Sequence, residues 1–68
     1  MRRLGESIRR GRKFLNLSQE DFAEACGLHR TYIGQVERGE INISLANILR
    51  ISRALKIEPS DLFADAGF

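Results

Sequence analysis

Residues 17–39 read LSQEDFAEACGLHRTYIGQVERG, and their punctuation decides the fold. Ser18 precedes an apolar-periodic run and is followed three residues later by Asp21, the Ser-x-x-Asp signature of a helix amino end. Glu20 and Asp21 also suit the positive pole of a helix dipole. The spacing predicts a helix from Gln19 to about Ala25 that turns Phe22, Ala23 and Cys26 inward, and Gly27, free to take positive φ, ends it. A second helix is expected from Arg30 to Arg38, stopping at Gly39. Neither is long enough to be stable alone in water. Two short helices joined this tightly predict a helix-turn-helix, whose second member can lie in a DNA major groove.

The rest of the chain reads as three more helices and no strand. The first is expected from about Leu4 to Leu15, with Leu4, Ile8 and Leu15 at helical spacings. Gly11 weakens it by about 1 kcal/mol relative to alanine. Ser44 is a cap for a helix over Leu45–Leu55, whose Leu45, Ile48, Leu49, Ser52 and Leu55 fall on one expected inner face. Pro59 suits the first turn of a last short helix through Leu62 and Phe63. The fold class expected is all-α, a compact five-helix bundle in one domain spanning residues 1–68.

Composition narrows the function. With 68 residues the chain has material for one small core, and a deep catalytic cleft would compete with it. No apolar run approaches the ~18–20 residues of a membrane span, and the basic start MRRLGESIRRGRK lacks the apolar segment of a secretory signal. A cytoplasmic protein is expected. Cys26 is the only cysteine, so no internal disulfide can form. Cys26 and His29 resemble half of a zinc site, but there is no further Cys or His to complete four ligands, and no metal or other cofactor is expected. Ser18, Asp21 and His29 might suggest a triad, yet the first two are better explained as caps and no oxyanion loop accompanies them. An enzyme is not expected.

The net charge of +2 is small, but Arg2, Arg3, Arg9, Arg10, Arg12 and Lys13 crowd the first thirteen residues against Glu6 alone. Such a bias serves either a solvated face or a phosphate footprint. The third helix carries the sharper signal. With Ile33 at the centre of its buried face, Val36 and Glu37 flank it inside, while Thr31, Gln35 and Arg38 point outward and Arg30 and Tyr32 occupy the shoulders. Arginine can grip guanine and glutamine can grip adenine with paired hydrogen bonds, and a threonine methyl can meet the thymine methyl. Each of these residues is also an ordinary solvated helix residue. Tyr32 serves equally for packing or for binding a phosphate, and His29 reads first as a cap or turn residue. Gly34 either permits close approach to DNA or is a tolerated helix defect. Glu37, an acid turned inward, finds its natural partner in Arg12 as a structural ion pair.

The pieces IRRGRKFLNLSQEDFAEACGL, TYIGQVERGEINISL and RALKIEPSDLF, in register from about Leu4 to Phe63, resemble the helix-turn-helix family of phage Cro and repressor proteins. The segment LHRTYIGQVERG is especially similar to restriction–modification controller proteins, small activators and repressors built from one such domain. The resemblance implies that Arg30, Thr31 and Gln35 read bases. It places Gln19 on a DNA phosphate, and Arg38, Asn42 and Ser44 near the DNA backbone. It also implies the Arg12–Glu37 pair. Arg9, Lys13, Tyr32 and His29 are further backbone candidates. Where many relatives have proline in an NPSL loop, this chain has Ile43.

The function expected is a sequence-specific DNA-binding transcription regulator without a small-molecule ligand. One such module buries roughly 600–1,000 Å² of protein surface, small for tight specific binding. A homodimer on a palindromic operator is therefore expected, with half-sites about 34 Å apart. Ile43, Ile57, Phe63 and Phe68 are the candidate contacts across the two-fold, with core closure the competing role for Phe63. The rival class is an antitoxin-type protein-interaction module that also binds DNA. A single-strand RNA binder would want an aromatic stacking platform, which is missing.

Overall fold

The computed structural model describes residues 1–68 and contains five α-helices: α1 (Arg2–Phe14), α2 (Gln19–Cys26), α3 (Arg30–Glu37), α4 (Leu45–Leu55) and α5 (Pro59–Asp65). No residue is in a strand. Most of the boundaries have visible chemical causes. The Ser18 hydroxyl accepts the Asp21 N–H at 3.0 Å, and the Ser44 hydroxyl accepts the Asn47 N–H at 3.2 Å. Each satisfies a backbone donor that the first helical turn leaves free. Pro59 opens α5, where the Glu58 N–H donates to the Asp61 carboxylate at 3.2 Å. α1 ends before Asn16, which takes a left-handed φ of 60°. α4 ends at Lys56, also left-handed at φ 62°, a conformation no sequence rule assigns to lysine.

Gly39 closes α3. It adopts φ 71°, its N–H donates to the Val36 carbonyl, and the Glu40 N–H donates back to the Gln35 carbonyl at 3.0 Å. This paired closure turns the chain sharply and brings Glu40 back alongside the end of the helix. Gly39 has a second reason to lack a side chain, since a Cβ there would stand 2.7 Å from the Arg2 Cα.

The core joins all five helices. Ile8, Phe22, Ile33, Val36, Ile51 and Leu62 are buried, with Leu4, Ala23, Cys26, Ile48, Leu55 and Ala66 around them. α2 and α3 pack on each other; α1 lies against α3, α4 and α5, and α4 against α2. Gly5 makes the α1–α3 crossing possible. A Cβ at Gly5 would sit 2.3 Å from the Val36 carbonyl oxygen and 2.8 Å from that of Glu37. The α1 backbone therefore rests directly on the last turn of α3.

α4 corrects one sequence expectation. Ile48, Ser52 and Leu55 face inward as expected, but Leu45 is 69% exposed and Leu49 42%, while Ile51 is fully buried. The buried stripe is Ile48, Ile51, Ser52 and Leu55. Apolar residues occupy both stripes at helical spacing, and the docking of α4 against α2 and α5 selects between them. Among the dimer candidates, Ile43 and Phe63 are half-buried and packed against the core. The Phe68 ring is exposed and meets Phe63 edge-on at 6.1 Å, with the Arg3 guanidinium 4.4 Å from its centroid. Ile57 is 38% exposed.

Candidate nucleic-acid interface

The site begins with how α3 is held. Arg12 reaches from α1 to Glu37 at the end of α3, its Nε donating to Oε2 at 2.7 Å and its Nη2 to Oε1 at 3.0 Å. The third nitrogen, Nη1, donates to the Leu17 carbonyl at 2.8 Å. Both side chains are almost fully withdrawn from water, at 9% and 2% exposure. A two-pronged pair in that setting is strong only if its remaining lone pairs and protons are also engaged. Gln19 contributes here: its Nε2 donates to Glu37 Oε1 at 3.1 Å. No buried side-chain polar atom in the molecule lacks a partner. The first residue of α2, the last of α3 and the body of α1 are thus tied at one point.

Above that tie lies an open cleft of about 480 Å³, lined by Gln19, Glu20, Arg30, Thr31, Gly34 and Arg38 with no hydrophobic residue among them. It opens along the outer face of the helix-turn-helix. The structure brings Gln19, Arg30, Thr31 and Arg38 together in this cleft, while Gln35, half-buried, is not part of its lining. A second, smaller hollow of about 280 Å³ carries the surface from Gln19 and Arg38 on to Arg9 of α1. Lys13 shares a further surface hollow with Glu6, Arg9 and Arg10, one turn beyond on the same helix. Arg9 and Lys13 are both exposed.

His29 caps α3: its Nδ1 accepts the Thr31 N–H at 3.1 Å. Tyr32 is half-buried against the core, and its hydroxyl accepts from Asn47 Nδ2 at 3.0 Å, linking α3 to α4. Asn42 is exposed in the α3–α4 loop, and Ser44 is occupied as the α4 cap. Cys26 is buried, and burial pushes its thiol up to about 11, so it behaves as a small hydrophobe rather than a ligand or nucleophile.

Three features of this surface were not legible in the motifs. Arg30 is paired with Glu20 across the helix-turn-helix at 3.3 Å. Arg38 is paired with Glu40, Nε to Oε2 at 2.7 Å and Nη2 to Oε1 at 3.3 Å. Hydrogen bonds from Arg38 hold the Glu40 carboxyl below its ordinary value. Gly34 is covered by the protein, and a Cβ on it would lie 3.1 Å from Arg38 Nη1. The missing side chain at Gly34 is therefore the seat in which the Arg38 guanidinium lies. The available signals were the charge alternation Arg38-Gly39-Glu40 and the four-residue step from Gly34 to Arg38.

A short, exposed, polar cleft on the second helix of a braced helix-turn-helix is the geometry of a DNA-reading module. The helix-turn-helix family profile matches residues 8–62, and the chain belongs to that family. It is similar to the control protein C.BamHI of Bacillus amyloliquefaciens, 57% identical over 47 residues, which are 69% of this chain and 58% of that one. Among solved structures, the restriction-modification controller protein C.AhdI from Aeromonas hydrophila superposes with a TM-score of 0.87 at 49% identity, over 90% of this chain and 92% of that one. The P22 c2 repressor, solved in complex with a synthetic operator, superposes with a TM-score of 0.81 at 36% identity, over 87% and 89% of the two chains. No helix is long and apolar enough to cross a membrane.

Proposed function

We propose that this chain is a cytoplasmic, non-enzymatic transcription regulator of the restriction–modification controller kind, which binds operator DNA as a homodimer and presents α3 to the major groove. The observation that carries this reading is the all-polar cleft of Gln19, Arg30, Thr31 and Arg38, held in register by the buried Arg12–Glu37–Gln19 tie. Arg30, Thr31 and Gln35 read base edges. Gln19, Arg38 and Arg9 set the register on phosphates, with Lys13, Tyr32, His29, Asn42 and Ser44 at the edges of the same contact.

The two-fold contact is assigned to the exposed apolar face of α4 and the α4–α5 turn. Leu45 and Leu49 are one helical turn apart, and Leu49 and Ile57 share a hollow with Arg53 and Glu58. Opposite charges within one patch suit a self-complementary two-fold interface. Ile57 lies on this face, and Ile43, Phe63 and Phe68 remain further candidates, the first two half-buried against the core and Phe68 edge-on to Phe63.

The test is a footprint on the DNA upstream of the protein's own gene, with salt titrated. Two protected half-sites about 34 Å apart, weakening steeply with salt, are the expected result. Protection with no preference for any sequence would overturn the reading.

A further inference from the structure

Arg38 is not presented free to a phosphate. Gly39 turns the backbone so that Glu40 folds back on the end of α3, and the Glu40 carboxylate takes two of the guanidinium's donors at 2.7 and 3.3 Å. The third donor nitrogen, Nη1, lies over Gly34, where any side chain would press on it at 3.1 Å. The group is thus parked, seated on bare helix backbone on one side and gripped by an acid on the other. A carboxylate and a phosphate present the same two-oxygen edge to a guanidinium. Both cannot occupy Nε and Nη2 at once.

We propose that Glu40 is an internal competitor for the DNA phosphate, setting how tightly this chain holds any duplex by occupying the donors of Arg38 in the free protein. The proposal rests on the reading of the α3 face as the DNA surface. On docking, phosphate oxygens displace the Glu40 carboxylate from Arg38, and the freed carboxylate is left beside the DNA backbone, where it is repelled. Both effects lower affinity without regard to base sequence, because neither involves a base edge. The Arg38–Glu40 unit carries no net charge, so its meeting with a phosphate releases less counterion than a free arginine would. Glu20 holds Arg30 by one longer contact at 3.3 Å, so the closer and two-pronged grip of Glu40 makes it the stronger restraint. Both partners are about half exposed, which keeps substitutions here from threatening the core.

The experiment measures binding of the intact chain, its Glu40→Gln, Arg38→Ala and doubly substituted forms to two labelled duplexes: the footprinted operator and a scrambled sequence of the same length. Glu40→Gln is expected to tighten both complexes by a similar factor, roughly two- to fivefold near 0.1 M salt. Its plot of log affinity against log salt should be steeper by up to about 0.9. The gain should shrink clearly when Arg38 is alanine, because only the repulsion between the carboxylate and the DNA backbone is then left to relieve. An unchanged or weakened affinity in Glu40→Gln, or an equal gain in the absence of Arg38, overturns the role of Glu40. If Arg38→Ala alone weakens binding in that case, the DNA surface stands and only the competitor falls. If Arg38→Ala changes neither complex in either background, Arg38 is outside the interface and the underlying reading falls with the proposal.

Discussion

Gln19 and Glu37, at opposite ends of the helix-turn-helix, share a hydrogen bond of 3.1 Å. Glu37 is already gripped by Arg12, so Gln19 is positioned by an ion pair it does not belong to. Its side chain also lines the polar cleft, which puts one amide between the brace and the proposed DNA surface.

Gln19→Ala should therefore weaken binding to every sequence by a similar amount, about 1.5–3 kcal/mol for a lost hydrogen bond to a charged group. Titrations of the operator and of scrambled DNA measure it. A loss confined to the operator would contradict the phosphate role.

Arg12→Ala leaves the buried Glu37 carboxyl with Gln19 as its only partner. The expected cost is roughly 3–5 kcal/mol of folding stability, read from urea unfolding. An apolar pair at positions 12 and 37, such as methionine with leucine, should recover most of it while misplacing Gln19, so stability and DNA affinity separate. A stable Arg12→Ala protein would show that the pair contributes little.

At Arg30, truncation to alanine should remove about 1–3 kcal/mol on the operator and blur preference at one base pair. Selection from a randomised half-site reads this directly. Normal discrimination by the variant would remove Arg30 from the base-reading set.

Leu49→Glu places a charge on the exposed α4 face, which is expected to raise the dimer dissociation constant by at least about tenfold. Because Leu49 is 42% exposed, the monomer should fold with little change in stability. Sedimentation that still finds the parent dimer would place the two-fold elsewhere.

Local chemistry made much of this molecule readable in advance. Ser18, Gly27, Ser44 and Pro59 mark ends that depend on a few neighbouring atoms, and the α2–α3 unit follows from them. The inward phase of Glu37 pointed to Arg12, because a buried acid needs a cation. α4 was harder. Leu45, Ile48, Leu49, Ile51 and Leu55 supply two apolar stripes, and which one is buried depends on distant surfaces of α2 and α5. The acids that hold Arg30 and Arg38 were missed for a similar reason. Glu20 lies ten residues from Arg30, and Glu40 reaches Arg38 only through the turn at Gly39. Gly34, ambiguous in sequence, became intelligible once the guanidinium was seen above it.

Gly5 has a mechanical consequence. With no side chain between the α1 backbone and the final carbonyls of α3, the two helices lie in direct backbone contact, and any side chain at Gly5 would force them apart. If α3 reads the operator as proposed, it does so as a fixed die. An operator whose groove is too wide or too wound for it must deform to be read, and the elastic cost falls on the duplex, least at its flexible pyrimidine–purine steps.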